Sequence, residues 1–97
     1  MKSPEGWEKD EICQYLVDIA AWYFRTFTAG YGKSGQPDII ACIDSMFWGI
    51  EVKREGKEPT VLQTRRMAEI TNAGGFCAWG TADKVIREIE AWRHSRD

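Results

Sequence analysis

QPDIIACIDSMFWGIEVKR, residues 36–54, decides how this chain folds. Two short apolar runs flank the polar pair Asp44-Ser45, and both are rich in β-branched and aromatic residues. The stretch therefore predicts a β-hairpin with Asp44-Ser45 at the turn. In an antiparallel pair the start of one strand lies beside the end of the other, which places Asp38 near Glu51 and Lys53. Strand alternation puts Glu51 and Lys53 on one face and Ile50 and Val52 on the other. Two carboxylates and a lysine thus converge on one end of an apolar hairpin.

The rest of the chain must build a core around that hairpin. At 97 residues, with 43% apolar and 12% aromatic content, it has the composition of one globular domain spanning residues 1–97. A net charge of −2 offers no general attraction to nucleic acid, so any such surface has to be a local patch. Five tryptophans in so short a chain give large apolar area per residue, and because a small domain buries its own surface incompletely, a subunit contact could take up part of it. The three cysteines, Cys13, Cys42 and Cys77, are widely spaced, lack a C-x-x-C pattern and fall in apolar runs. They read as small buried hydrophobes rather than zinc ligands or disulfide partners. No signal peptide or membrane-spanning apolar run is present, and a reducing cytoplasm fits best.

Before the hairpin, Ser3-Pro4 is a helix start, and Ile12, Leu16, Ile19 and Tyr23 repeat on one helical face. The predicted helix runs from about Glu5 to Trp22, followed by a strand over Tyr23–Thr28 and a glycine-rich loop, AGYGKSGQP. After the hairpin comes the charged turn REGKEP. Thr60 and Gln63 then match a capping box opening a second helix with Leu62, Met67 and Ile70 on its apolar face. Asn72-Ala73-Gly74-Gly75 stops that helix, FCAW (76–79) is a strand, and Thr81 caps a last helix bearing Val85, Ile86, Ile89 and Trp92. The predicted order is αβββαβα, giving an α/β fold with a mixed four-stranded sheet flanked by helices, the last strand parallel to the hairpin.

Two close carboxylates repel unless a cation joins them, and hard oxygen ligands suit Mg²⁺ or Mn²⁺. Asp38, Glu51 and the backbone carbonyl of Val52 are the candidate metal ligands. An ion held there can activate water and stabilise charge on a phosphate in transfer, with Lys53 orienting that water or neutralising the phosphate. A lone E-x-K on a strand is usually a surface ion pair. Here the apolar neighbours Ile50 and Val52 and the Pro37-Asp38 turn favour the catalytic reading.

Gly35-x-Pro37-Asp38, twelve intervening residues, then Glu51-Val52-Lys53 resembles the PD-(D/E)-x-K nuclease signature. Ile50 to Arg54, then Thr60-x-x-Gln63 and Ala73-Gly74-Gly75, is similar more narrowly to the VRR-NUC branch of that superfamily, here with Val52-Lys53-Arg54 where the family name reflects V-R-R. The resemblance implies a restriction-endonuclease-like fold and a metal-dependent DNA phosphodiesterase cutting Holliday-junction-like branched DNA as a homodimer. It also implies that Gln63 faces the site, although a capping box alone explains a Gln there, and that a glutamate of the first helix joins it. Glu11 fits that role by its rhythm with Ile12, Leu16 and Ala20, with Glu8 one turn away as the alternative.

Lys33, Arg54, Lys57, Arg65 and Arg66 are the candidate DNA contacts, each of which read singly is a solvated charge. A flap or nicking nuclease with the same site, a DNA-structure-binding module without cleavage and a tryptophan-bearing interaction scaffold are the competing readings.

Overall fold

The computed structural model describes residues 3–27 and 34–96. Its first helix, α1 (Pro4–Asp18), starts where Ser3 accepts the Gly6 N–H at 3.1 Å, with proline at the first position. It ends four residues before the predicted Trp22. Ala20 takes a left-handed φ of 60°, its N–H donates to Val17 O, and Ala21 N–H donates to Leu16 O. These bonds form a Schellman stop with alanine where glycine is usual. The periodicity of Ile12, Leu16 and Ile19 could not reveal this, because Ala20 and Ala21 are good helix formers by propensity.

The early stop frees Trp22–Arg25 to become β1. β2 (Ile39–Ile43) and β3 (Met46–Val52) form the hairpin, and Asp44 and Ser45 both have positive φ, 49° and 70°. That pair of left-handed residues makes a type I′ turn, whose twist matches the strands. α2 (Val61–Asn72), β4 (Phe76–Gly80) and α3 (Ala82–Ser95) complete the described elements. The sheet order is β1-β2-β3-β4, with β1–β2 and β2–β3 antiparallel and β3–β4 parallel. This is the mixed four-stranded α/β arrangement the sequence predicts.

The core lies between the sheet and the pair α1–α3. Ile12 and Leu16 from α1 meet Ile39, Ala41 and Ile43 of β2, Ile50 and Val52 of β3, and Val85 and Ile89 of α3. Trp48, Phe76 and Trp92 form an aromatic cluster at one end, with ring centroids 5.2–5.3 Å apart. Among the described elements α2 packs on the opposite face, chiefly over β3 and β4. The cross-strand row Trp22–Cys42–Phe47 on that face is left exposed, as is Phe24. Cys42 therefore departs from the buried-hydrophobe reading, because Ala41 and Ile43 on either side occupy the buried face. Cys13 is buried and Cys77 half-buried.

Candidate active site

The site forms at the open end of the hairpin. Ile39 is the first β2 residue paired with β3, opposite Ile50, so Glu51 and Val52 run past the end of β2. Asp38 occupies the gap. Its backbone carbonyl accepts the Thr26 N–H at 2.9 Å, and Thr26 Oγ1 donates to Pro37 O at 2.6 Å. Pro37 is buried against Gly49, where a Cβ would lie 3.0 Å from Pro37 Cγ. The missing side chain at 49 lets Pro37 settle and directs Asp38 towards β3. There the Asp38 Oδ2 accepts the Val52 N–H at 2.9 Å. The Val52 carbonyl lies on the same edge of the strand as its N–H, as β geometry requires. On the other edge the Lys53 N–H donates to Gly80 O at 2.8 Å.

Glu51 is 2% exposed, the one buried charged side chain among the described residues. Its Oε1 accepts from Gln63 Nε2 at 3.1 Å, while its Oε2 is buried without a hydrogen-bond partner. Burial pushes the carboxyl up to about 9, and the like charge of the adjacent Asp38 adds to the rise; Lys53 and Lys9 oppose it. Gln63 serves both readings offered for it. Its Oε1 accepts the Thr60 N–H at 2.8 Å, its own N–H donates to Thr60 Oγ1 at 3.1 Å, and its Nε2 reaches Glu51. The capping box and the site contact use opposite ends of one amide.

The first-helix acids are placed differently from the expectation. Glu11 is exposed and makes no hydrogen bond or ion pair with the described residues of the site. Glu8 Oε2 accepts the Ala82 N–H at 2.9 Å, capping the start of α3. Among the described residues no third His, Cys, Asp or Glu joins Asp38 and Glu51. The α1 side chain that reaches the pair is Lys9, whose Nζ is 3.6 Å from Asp38 Oδ1. Glu5, one helical turn before it, lines a cleft of about 250 Å³ with Lys53, Arg54 and Lys57. Lys9 and Glu5 escaped the sequence reading, although their four-residue spacing places them on one helical face.

The proposed DNA contacts also separate. Arg54 and Lys57 are exposed beside Lys53. Arg65 is exposed on α2, whereas Arg66 is held by Ser34 O at 3.0 Å and Glu69 at 2.9 Å, tying the loop before Pro37 to α2. Lys33 lies outside the described residues.

No family model and no curated protein matches the chain. Among solved structures, one described as a VRR_NUC domain aligns with a TM-score of 0.78 at 22% identity, covering 92% of this chain and 97% of that one. A second, a VRR_NUC domain protein, aligns with a TM-score of 0.73 at 20% identity, covering 94% of this chain and 88% of that one. The chain has the VRR-NUC fold. Within that fold the hairpin end brings Asp38 and Lys53 beside Glu51, the one buried carboxylate among the described residues.

The oxygens present suit a hard cation. Glu51 Oε2 is an orphaned buried acceptor beside a second carboxylate and the Val52 carbonyl. Mg²⁺ commonly uses one or two protein carboxylates and leaves its remaining positions to water and phosphate, so the absence of a third acid is no obstacle.

Proposed function

We propose that this protein is a Mg²⁺- or Mn²⁺-dependent DNA endonuclease of the cytoplasm, acting on branched DNA as a homodimer. The observation carrying the reading is Glu51 itself: a buried carboxylate with one oxygen tethered by Gln63 and the other unpartnered, beside Asp38. Leaving a buried acceptor orphaned costs about 1–3 kcal/mol, a cost that a bound cation would relieve. The names of the two structural neighbours support a nuclease reading.

Asp38, Glu51 and the Val52 carbonyl would hold the ion. Bound there, it supplies Lewis-acid stabilisation of phosphate charge and a more acidic water. The Val52 N–H holds the Asp38 carboxylate against β3, and Gln63 tethers Glu51 through Oε1, leaving Oε2 available. Lys53 follows Glu51 by two residues on the same strand face, so its ammonium can donate to the attacking water or to a non-bridging phosphate oxygen. Water adds to phosphorus and gives up a proton to solvent as the bond to the leaving sugar oxygen breaks, and that oxygen takes up a proton from solvent. Arg54 and Lys57 continue the positive charge along the cleft and would hold the backbone without reading bases.

The dimer part of the proposal rests on the uncovered sheet face. Trp22 is 63% exposed and Phe24 46%, with ring centroids 5.5 Å apart, and Phe47 lies in the same row as Trp22. A second copy would shield these rings. Two active sites brought to one DNA would suit a branched substrate, whose shape their spacing would select. The test is cleavage of duplex, nicked, flap and four-way-junction DNA in Mg²⁺ and in Mn²⁺. Cutting of the junction by the parent and its loss in Lys53→Ala are expected, and equal rates in both proteins refute the assignment. Light scattering that finds only an 11.1 kDa species would remove the dimer.

A further inference from the structure

α1 contains a single basic side chain, Lys9, and it is directed at Asp38 rather than into solvent. The contact is loose: at 3.6 Å it is an ion pair without a hydrogen bond, and both side chains are about a third exposed or less, 32% and 26%. Asp38 does not depend on it for position, because the Val52 N–H and the Thr26 bonds already hold that residue. The ammonium therefore has little structural work to do. It does supply positive charge beside two carboxylates, where Lys53 supplies more from the strand.

We propose that Lys9 is a phosphate-contacting residue that acts as the cation at Asp38 until a metal ion takes that place. The inference rests on the metal-dependent reading of Asp38 and Glu51. An ammonium and a divalent ion cannot both crowd one carboxylate without strong repulsion, so ion entry displaces the lysine. Its four-carbon stem swings freely, and a lysine is a point-charge binder of phosphate. The phosphate that completes the ion's coordination arrives where the displaced ammonium needs a new partner. One side chain thus neutralises the empty carboxylates and then helps hold the substrate.

Calorimetry with Mn²⁺ on the parent, Lys9→Met and Lys9→Arg tests the first half. Removing the competing charge is expected to tighten Mn²⁺ binding roughly three- to tenfold in Lys9→Met, the size of a partly screened charge acting on a divalent ion, and to leave Lys9→Arg near the parent. DNA affinity measured against salt, with Ca²⁺ replacing Mn²⁺, tests the second. The slope of log affinity against log salt should fall by about 0.9 in Lys9→Met, the loss of one phosphate contact, and should be kept by Lys9→Arg. Should Lys9→Met not fold, Lys9→Gln makes the same comparison. Unchanged or weaker Mn²⁺ binding in the neutral variant, or an unchanged salt slope, overturns the inference alone. A parent that takes up no Mn²⁺ overturns the metal reading of the site, and this inference with it.

Discussion

Replacing Glu51 with glutamine is expected to make the protein more stable while removing its activity. The side chain is buried, and its carboxyl is raised from 4.5 to about 9 in the folded chain. A group raised in the folded state binds more protons there than when unfolded. Stability contributed by the protonated form is full below the unfolded value and is lost as pH rises through the window towards about 9. Each pH unit in that window is worth about 1.4 kcal/mol, so by pH 7 the ceiling is about 3 kcal/mol. Relaxation around a carboxylate coupled to Asp38 brings the expectation to about 1–2 kcal/mol. Glutamine stays neutral at every pH and can still accept from Gln63 Nε2 with its amide oxygen. Glu51→Gln should therefore melt roughly 4–15 °C above the parent at pH 7–8 in EDTA, with the gap closing near pH 4.5. Urea unfolding followed by tryptophan fluorescence at both pH values measures it. Adding Mn²⁺ should raise the parent's stability and leave the variant unmoved. A variant no more stable than the parent at pH 8, or a gap independent of pH, would refute the claim that Glu51 is a strained buried acid kept for function.

The same raised carboxyl predicts that Mn²⁺ uptake releases close to one proton at pH 7, read as a buffer-dependent binding enthalpy, with affinity rising as pH rises towards about 9. Ala20→Gly should raise stability by about 1 kcal/mol in thermal melts, since glycine takes the left-handed φ of 60° without the Cβ penalty. Glu8→Ala should cost about 1 kcal/mol through the lost cap on Ala82 and leave Mn²⁺ affinity at the parent's value; a drop in affinity would return Glu8 to the site. A thiol reagent under native conditions should label Cys13 only on unfolding, and Cys42 quickly at dilutions where the chain is monomeric but slowly once a second copy covers the Trp22–Phe47 row, which mass spectrometry of the peptides resolves.

What was legible in the sequence follows from which interactions are local. The Asp44-Ser45 turn, the Thr60/Gln63 capping box and the Val85–Ile89 stripe are each decided within a few residues, and each is found where the sequence places it. The meeting of Asp38 with β3 follows from hairpin geometry alone, with Val52 N–H as the actual point of contact. Lys9 was not legible, because helical period shows which side chains are buried but not how α1 crosses the end of the sheet. For the same reason Glu8 and Glu11 were indistinguishable on paper: the first reaches α3 and the second faces outward, a difference set by packing. Cys42 illustrates a third limit. An unbroken apolar run hides the alternation of a strand, and only the extent of α2 reveals that one face stays uncovered.

Gln63 ties two timescales together. The amide that closes the first turn of α2 at Thr60 is also the tether on Glu51, so the helix cannot fray at its start without releasing the carboxylate. Breathing of that turn becomes breathing of the candidate site. Any partner that stiffens the charged turn ahead of Thr60 would by the same route hold Glu51 steadier, so that contact some distance from the carboxylates would make the candidate site more rigid.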